Sequence, residues 1–135
     1  MKKVIAGLMI AASMLTFGCG GRNAEFGTVD MKQVEAEAPI MKTTQEDFTK
    51  KMTELKGQME KDLAGKSGEE AAKVTEDYSA KAKLVQSEAQ NKIKSSLDAA
   101  LNQVAKEKGL GAIMSKEAVP QGGTDVTKDV IAKMK

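Results

Sequence analysis

The segment Leu63-Ala64-Gly65-Lys66-Ser67-Gly68-Glu69-Glu70, in the middle of a 135-residue chain, interrupts two long runs of apolar residues at helical spacing. Glycines at 65 and 68 can take the left-handed backbone that ends a helix, and Ser67 stands where it can cap the next one. Glu69 and Glu70 then favour the positive end of that helix's dipole. Residues 65–68 therefore read as the tip of a helical hairpin.

On the amino-terminal side of the tip, apolar side chains fall at Met41, Phe48, Met52, Leu55, Met59 and Leu63. These steps of mostly three and four are close to a heptad and place one narrow stripe along a helix, which needs a partner helix to cover it. On the other side the stripe continues through Val74, Tyr78, Ala82, Val85, Ala89, Ile93, Leu97, Leu101 and Val104, with neither Pro nor Gly between Glu69 and Lys108. At 1.5 Å per residue the second helix spans roughly 60 Å and the first roughly 36 Å. The longer helix must overshoot its partner, so its last portion, from Leu97 to Val104, is expected in a different environment.

Outside the hairpin the pattern changes. Thr28-Val29-Asp30-Met31 alternates as a half-buried strand does, residues 30–38 fit a short helix, and Pro39 resets the backbone. After Gly109, residues 110–114 read as a buried strand, Ser115-Lys116-Glu117 as a turn, and Ala118-Val119 as a second strand that Pro120 stops. Gln121-Gly122-Gly123 is loop. Thr124, Asp125 and Thr127 are all competent caps for a final helix carrying Val126, Val130, Ile131 and Met134. The expected fold is mainly α with a small β body, the antiparallel hairpin being inserted between the body strands. In numbers, a signal segment covers 1–18, Cys19 and a tether 19–27, an oligomerisation body 28–40 and 97–135, and a coiled-coil arm 41–96. Val29, Met31, Leu110, Ile113, Met114, Val119, Val130 and Ile131 are the expected body residues.

Composition excludes much. Zero His removes the commonest general base and metal ligand, and one Cys cannot close a disulfide. Lys2 and Lys3 lie ahead of residue 19, and the remaining 19 basic groups balance 19 acidic ones, so no clustered basic face points to nucleic acid. Ala64-Gly65-Lys66-Ser67 imitates part of a phosphate loop, but the glycine required five positions before Gly65 is Glu60. Paired carboxylates at Glu46/Asp47, Glu69/Glu70 and Glu76/Asp77 fit the solvated face of a helix, with Lys50, Lys73 and Lys81 as partners. No catalytic, cofactor or metal residue is assigned, and no enzyme is expected. Aromatic side chains make up 3% of the chain, too few for a large self-contained core.

Lys2 and Lys3 followed by an apolar stretch from Val4 to Leu15 form an export signal too short to span a bilayer as an ordinary helix. Leu15-Thr16-Phe17-Gly18-Cys19 resembles a bacterial lipobox, departing from it at Thr16 and Phe17, and this makes Cys19 the candidate lipidation site. A plain secretory signal cut nearby is the competing reading. Periplasmic location is expected by either route, with membrane attachment if Cys19 is acylated.

The chain resembles the Skp family, the OmpH-like periplasmic chaperones. The resemblance rests on Gly27-Thr28-Val29-Asp30-Met31-Lys32-Gln33-Val34, the Lys/Glu/Gln-rich hairpin, Val104-Ala105-Lys106-Glu107-Lys108-Gly109-Leu110, Lys116-Glu117-Ala118-Val119 and Asp125-Val126-Thr127-Lys128-Asp129-Val130-Ile131. It implies a homotrimer whose helical hairpins project like tentacles and hold unfolded outer-membrane proteins without ATP. The chain departs from the family in its shorter arms, the neutral charge of the part beyond residue 18, and Cys19. Phe48, Met52, Leu55, Met59, Val74, Tyr78 and Val85 are the arm stripe and the candidate client contacts, since flexible, polarizable methionine suits surfaces that accept many sequences. A membrane-tethered coiled-coil scaffold that binds one folded partner is the alternative.

Overall fold

A computed structural model describes residues 25–135. Cys19, the signal segment 1–18 and most of the tether lie outside the described residues. The chain is mostly helical, with a small parallel sheet and one very long helix.

The sheet is built around β1 (Phe26–Val29), whose residues beyond half-buried Phe26 are buried. β2 (Ala112–Ser115) and β3 (Thr124–Asp125) flank it, both parallel, in the order β2-β1-β3. Gly27 pairs with Ile113 on one side and Thr124 on the other. A side chain at Gly27 would meet Leu110, Ile113 and Val126 at 2.9–3.2 Å, so close packing across the strand demands glycine there. This corrects two expectations. The strand begins two residues before Thr28, taking Phe26 and Gly27 out of the tether. It stops before Asp30, whose carboxylate accepts from the Lys32 and Gln33 N–H groups at 3.0 and 3.1 Å and caps α1 (Met31–Glu37).

Pro39 opens α2 (Pro39–Leu63) instead of merely preceding it, because the first helical turn needs no N–H donor from that residue. The helix runs 25 residues, about 37 Å. Residues 64–68 link it to α3 (Glu69–Lys108), with Gly65 and Gly68 at φ 77° and 60°. Gly68, not Ser67, is the residue before the helix, and no side chain caps it; Glu69 and Glu70 supply the favourable charge in its first turn. α3 has 40 residues, about 60 Å, and ends at Gly109, left-handed at φ 64°. α2 and α3 run antiparallel: Asp62 meets Tyr78, Lys51 meets Glu88 and Asp47 meets Lys92, so positions fall along one helix as they rise along the other.

The last part of the chain differs most from expectation. Ala118-Val119 forms no strand; Lys116–Ala118 is a single 3-10 turn, and Val119 is half-buried outside any sheet. The third strand is Thr124–Asp125, reached because Gly122 and Gly123, at φ 90° and 83°, wrap the chain past Phe26. Thr124 and Asp125 are thus strand residues, although the Asp125 carboxylate still accepts from the Thr127 N–H at 3.0 Å at the start of α4. α4 (Thr127–Lys133) follows with Val126 as its capping position, without a side-chain cap bond. Thr127 is already helical, and its hydroxyl donates to Asp125 at 2.6 Å while accepting from the Asp30 N–H at 2.9 Å. That pair of bonds ties the end of β1 to the start of α4.

Val29, Val34, Ala38, Ile40, Ala100, Val104, Val126, Val130 and Met134 form the core. It draws on β1, α1, the first turn of α2, the carboxyl-terminal part of α3, and α4. Ala100 and Val104 therefore belong to the body core, together with Ile40 at the start of α2. Of the body residues named from sequence, Val29 and Val130 are buried within this one chain, while Met31, Leu110, Ile113 and Ile131 are half-buried against the core. Met114 is 40% exposed.

Candidate functional site

Along α2, Phe48, Met52, Leu55 and Met59 recur at helical spacing on the side turned toward α3, and each is half-buried. α3 answers with short side chains, Thr75, Ser79 and Ala82, beside one large one, Tyr78. Short residues opposite unbranched methionines cannot fill the space between two helices 8–10 Å apart, and an open groove of about 530 Å³ remains. Thr49, Thr53 and Lys56 complete its edge.

Tyr78 closes the groove toward the tip. It is 6% exposed, its hydroxyl donates to the Asp62 carboxylate at 2.6 Å, and the Lys81 amino group lies 4.5 Å from the ring centre, a cation–π contact. The hydrogen bond to Asp62, followed by desolvation and the charges of Asp62 and Asp77, raises the Tyr78 pKa, so the phenol stays a donor. The threonines add no unmet polar demand. Thr49, Thr53 and Thr75 hydroxyls donate to carbonyls four residues back, at 2.8, 2.8 and 2.9 Å. The groove is thus a largely apolar trough whose threonine and tyrosine hydroxyls are already satisfied, leaving the exposed Ser79 hydroxyl and one lysine.

Below it lies a smaller space of about 170 Å³ lined by Thr44, Phe48, Val85, Ala89 and two ion pairs, Lys51–Glu88 at 2.8 Å and Lys92–Asp47 at 3.3 Å. The hydrogen bond and charge of Glu88 raise the Lys51 pKa. The side chains of both pairs are at least half exposed, so they set the register of the helices more than they stabilise it. Asp47 therefore pairs across the seam with Lys92 and not with Lys50, and Lys81 serves Tyr78. Thr44 is buried, and its hydroxyl has no hydrogen-bond partner.

Five of the seven stripe residues expected to meet clients line the groove: Phe48, Met52, Leu55, Met59 and Tyr78. Val85 lines the smaller space instead, and Val74 lines neither. Lys56 and the Asp62–Tyr78 bond escaped the sequence, since nothing marks one lysine among many until two helices are in register. Among the described residues no group of three His, Cys, Asp or Glu could hold a metal ion, and no helix is long and apolar enough to cross a membrane. A scan of protein-family models and a search of curated proteins give no match to the chain.

Proposed function

We propose that this chain is an ATP-independent holdase of the envelope, similar to the Skp family, that shelters unfolded outer-membrane proteins between helical arms. The observation that carries the reading is the apolar, half-open groove between α2 and α3, lined by the flexible methionines Met52 and Met59 of α2 and flanked by charged outer faces. A surface of that kind makes many weak contacts with varied sequences and keeps the complex soluble. The two antiparallel helices serve as a hairpin arm, and three copies pool their bodies into one trimer. Supporting this, the core of one chain is small, Met114 is exposed, and the outer edges of β2 and β3 have no strand partner among the described residues.

Export places the trimer in the periplasm, and acylation of Cys19 holds it at a membrane. From Cys19 to Glu25 the chain reaches about 20 Å at most. β1 and β3 each lead into a helix at their carboxyl ends, whereas Glu25 precedes the opposite end of the sheet.

The test is suppression of light scattering when several unrelated unfolded barrel proteins are diluted out of urea into the purified chain. Protection of all of them supports a holdase. Binding confined to a single folded envelope protein, without protection, would establish the scaffold reading in its place.

A further inference from the structure

Lys56 is the one charged residue among the eleven that line the groove. Three lysines of the two helices are engaged: Lys51 and Lys92 pair with Glu88 and Asp47, and Lys81 sits on the Tyr78 ring. Asp62, the carboxylate that reaches a groove residue, is engaged by the Tyr78 hydroxyl at 2.6 Å. No ion pair among the described residues involves Lys56, and α3 sets only Thr75, Ser79, Ala82 and Tyr78 on the facing wall. A lysine without an ion pair among the described residues thus stands at the edge of an apolar trough.

From Phe48 to Met59 the trough extends about 16 Å along α2, the length of about five residues of extended chain. We propose that the groove selects, among unfolded polypeptide segments, those in which apolar side chains stand within a few residues of a carboxylate. Lys56 pairs the carboxylate, and Met52, Leu55 and Met59 take the apolar side chains. Charge complementarity then supplies selectivity that the balanced charge beyond residue 18 does not, and apolar contact supplies most of the affinity. This rests on the chaperone reading and names the class of segment it prefers.

The experiment uses the chain carrying Cys19→Ser and two fluorescein-labelled peptides of Ser, Gly and Leu that differ only in one Glu or Gln beside the leucines. Anisotropy at physiological salt should show the Glu peptide binding roughly fivefold tighter, the scale of a partly exposed ion pair. Lys56→Gln should remove the preference without weakening the Gln peptide, and Lys56→Arg should restore it. Lys73→Gln, on the face of α3 turned away from Thr75, should leave it unchanged. A preference that survives Lys56→Gln, or none in the parent chain while barrel proteins are still protected from aggregation, overturns the proposal alone. Lys56-dependent binding of dodecanoate with no peptide preference overturns it in favour of a fatty-acid site. Failure to bind either peptide together with failure to protect any barrel protein defeats the chaperone reading itself.

Discussion

Adding one methyl group at Gly27 and at Gly57 should have opposite effects, because the two glycines stand in opposite surroundings. At Gly27 a Cβ would lie 2.9 Å from Leu110 Cδ1 and 3.2 Å from both Ile113 Cγ1 and Val126 Cγ2. Leu110 is half-buried and can withdraw, but Val126 is 0% exposed, and its N–H donates to the Thr28 carbonyl at 2.9 Å. Overpacking of this kind costs about 1–3 kcal/mol, against about 0.4–1 kcal/mol gained by restricting the unfolded chain. Gly27→Ala should therefore lose about 1–2 kcal/mol. Gly57 lies inside α2 with nothing within 4 Å of the added carbon, so Gly57→Ala should gain about 1 kcal/mol of helix stability. For a domain near this size each kcal/mol moves Tm by about 4–5 °C. Circular dichroism at one fixed protein concentration should show Tm falling by about 4–9 °C in the first variant and rising by about 4 °C in the second. Melting of Gly27→Ala at or above the parent temperature would refute the packing around β1.

Other outcomes follow from single contacts. Tyr78→Phe removes the bond to Asp62 and should cost about 1 kcal/mol in urea unfolding, with faster amide exchange near residues 64–68 than elsewhere. Thr44→Val replaces a buried, unpartnered hydroxyl by a methyl of the same shape and should raise stability by up to about 1 kcal/mol; a loss would mean that the hydroxyl has a partner in solution. Hydrogen bonds from the Thr127 hydroxyl and N–H, and then from Lys116, lower the Asp125 pKa to about 2. Its stabilising effect is therefore full above about pH 4 and is lost as pH falls through about 2. With the side chain about half exposed, screening limits it to about 1 kcal/mol, and the gap in urea midpoint between the parent and Asp125→Asn should close between pH 5 and pH 2. Ile113→Asp or Ile131→Asp should dissociate the proposed trimer or unfold the body, read by light-scattering mass and circular dichroism, because both side chains pack against the core.

The long helices were legible because their signal is long: an uninterrupted stripe and a terminal glycine define α3 from Glu69 to Lys108 without help from the rest of the chain. Short elements were not. β3 is two residues long and has no period to detect; it exists because Gly122 and Gly123 bring Thr124 alongside Gly27. Ala118-Val119 carried the better local strand signal, yet the chain turns in a 3-10 step there before Pro120. Asp30 showed the same ambiguity: it fits the alternation of a strand but spends its carboxylate on capping α1. For the site, the stripe predicted which face of α2 matters, whereas the groove depends on which α3 residues stand opposite. That register is fixed by Lys51–Glu88, Asp47–Lys92 and Asp62–Tyr78, pairs no single-helix pattern encodes.

The claim that the groove holds unfolded clients is tested most directly by changing its floor without changing its helices. Met52→Gln with Met59→Gln keeps side-chain length and helix propensity while making the trough polar. Light scattering of several barrel proteins diluted from urea, with the solution mass and helicity of both chains checked alongside, should show strong protection by the parent. The double variant should lose most of it at unchanged mass and helicity. Undiminished protection by a fully helical double variant of unchanged mass would contradict the assignment of client binding to this groove.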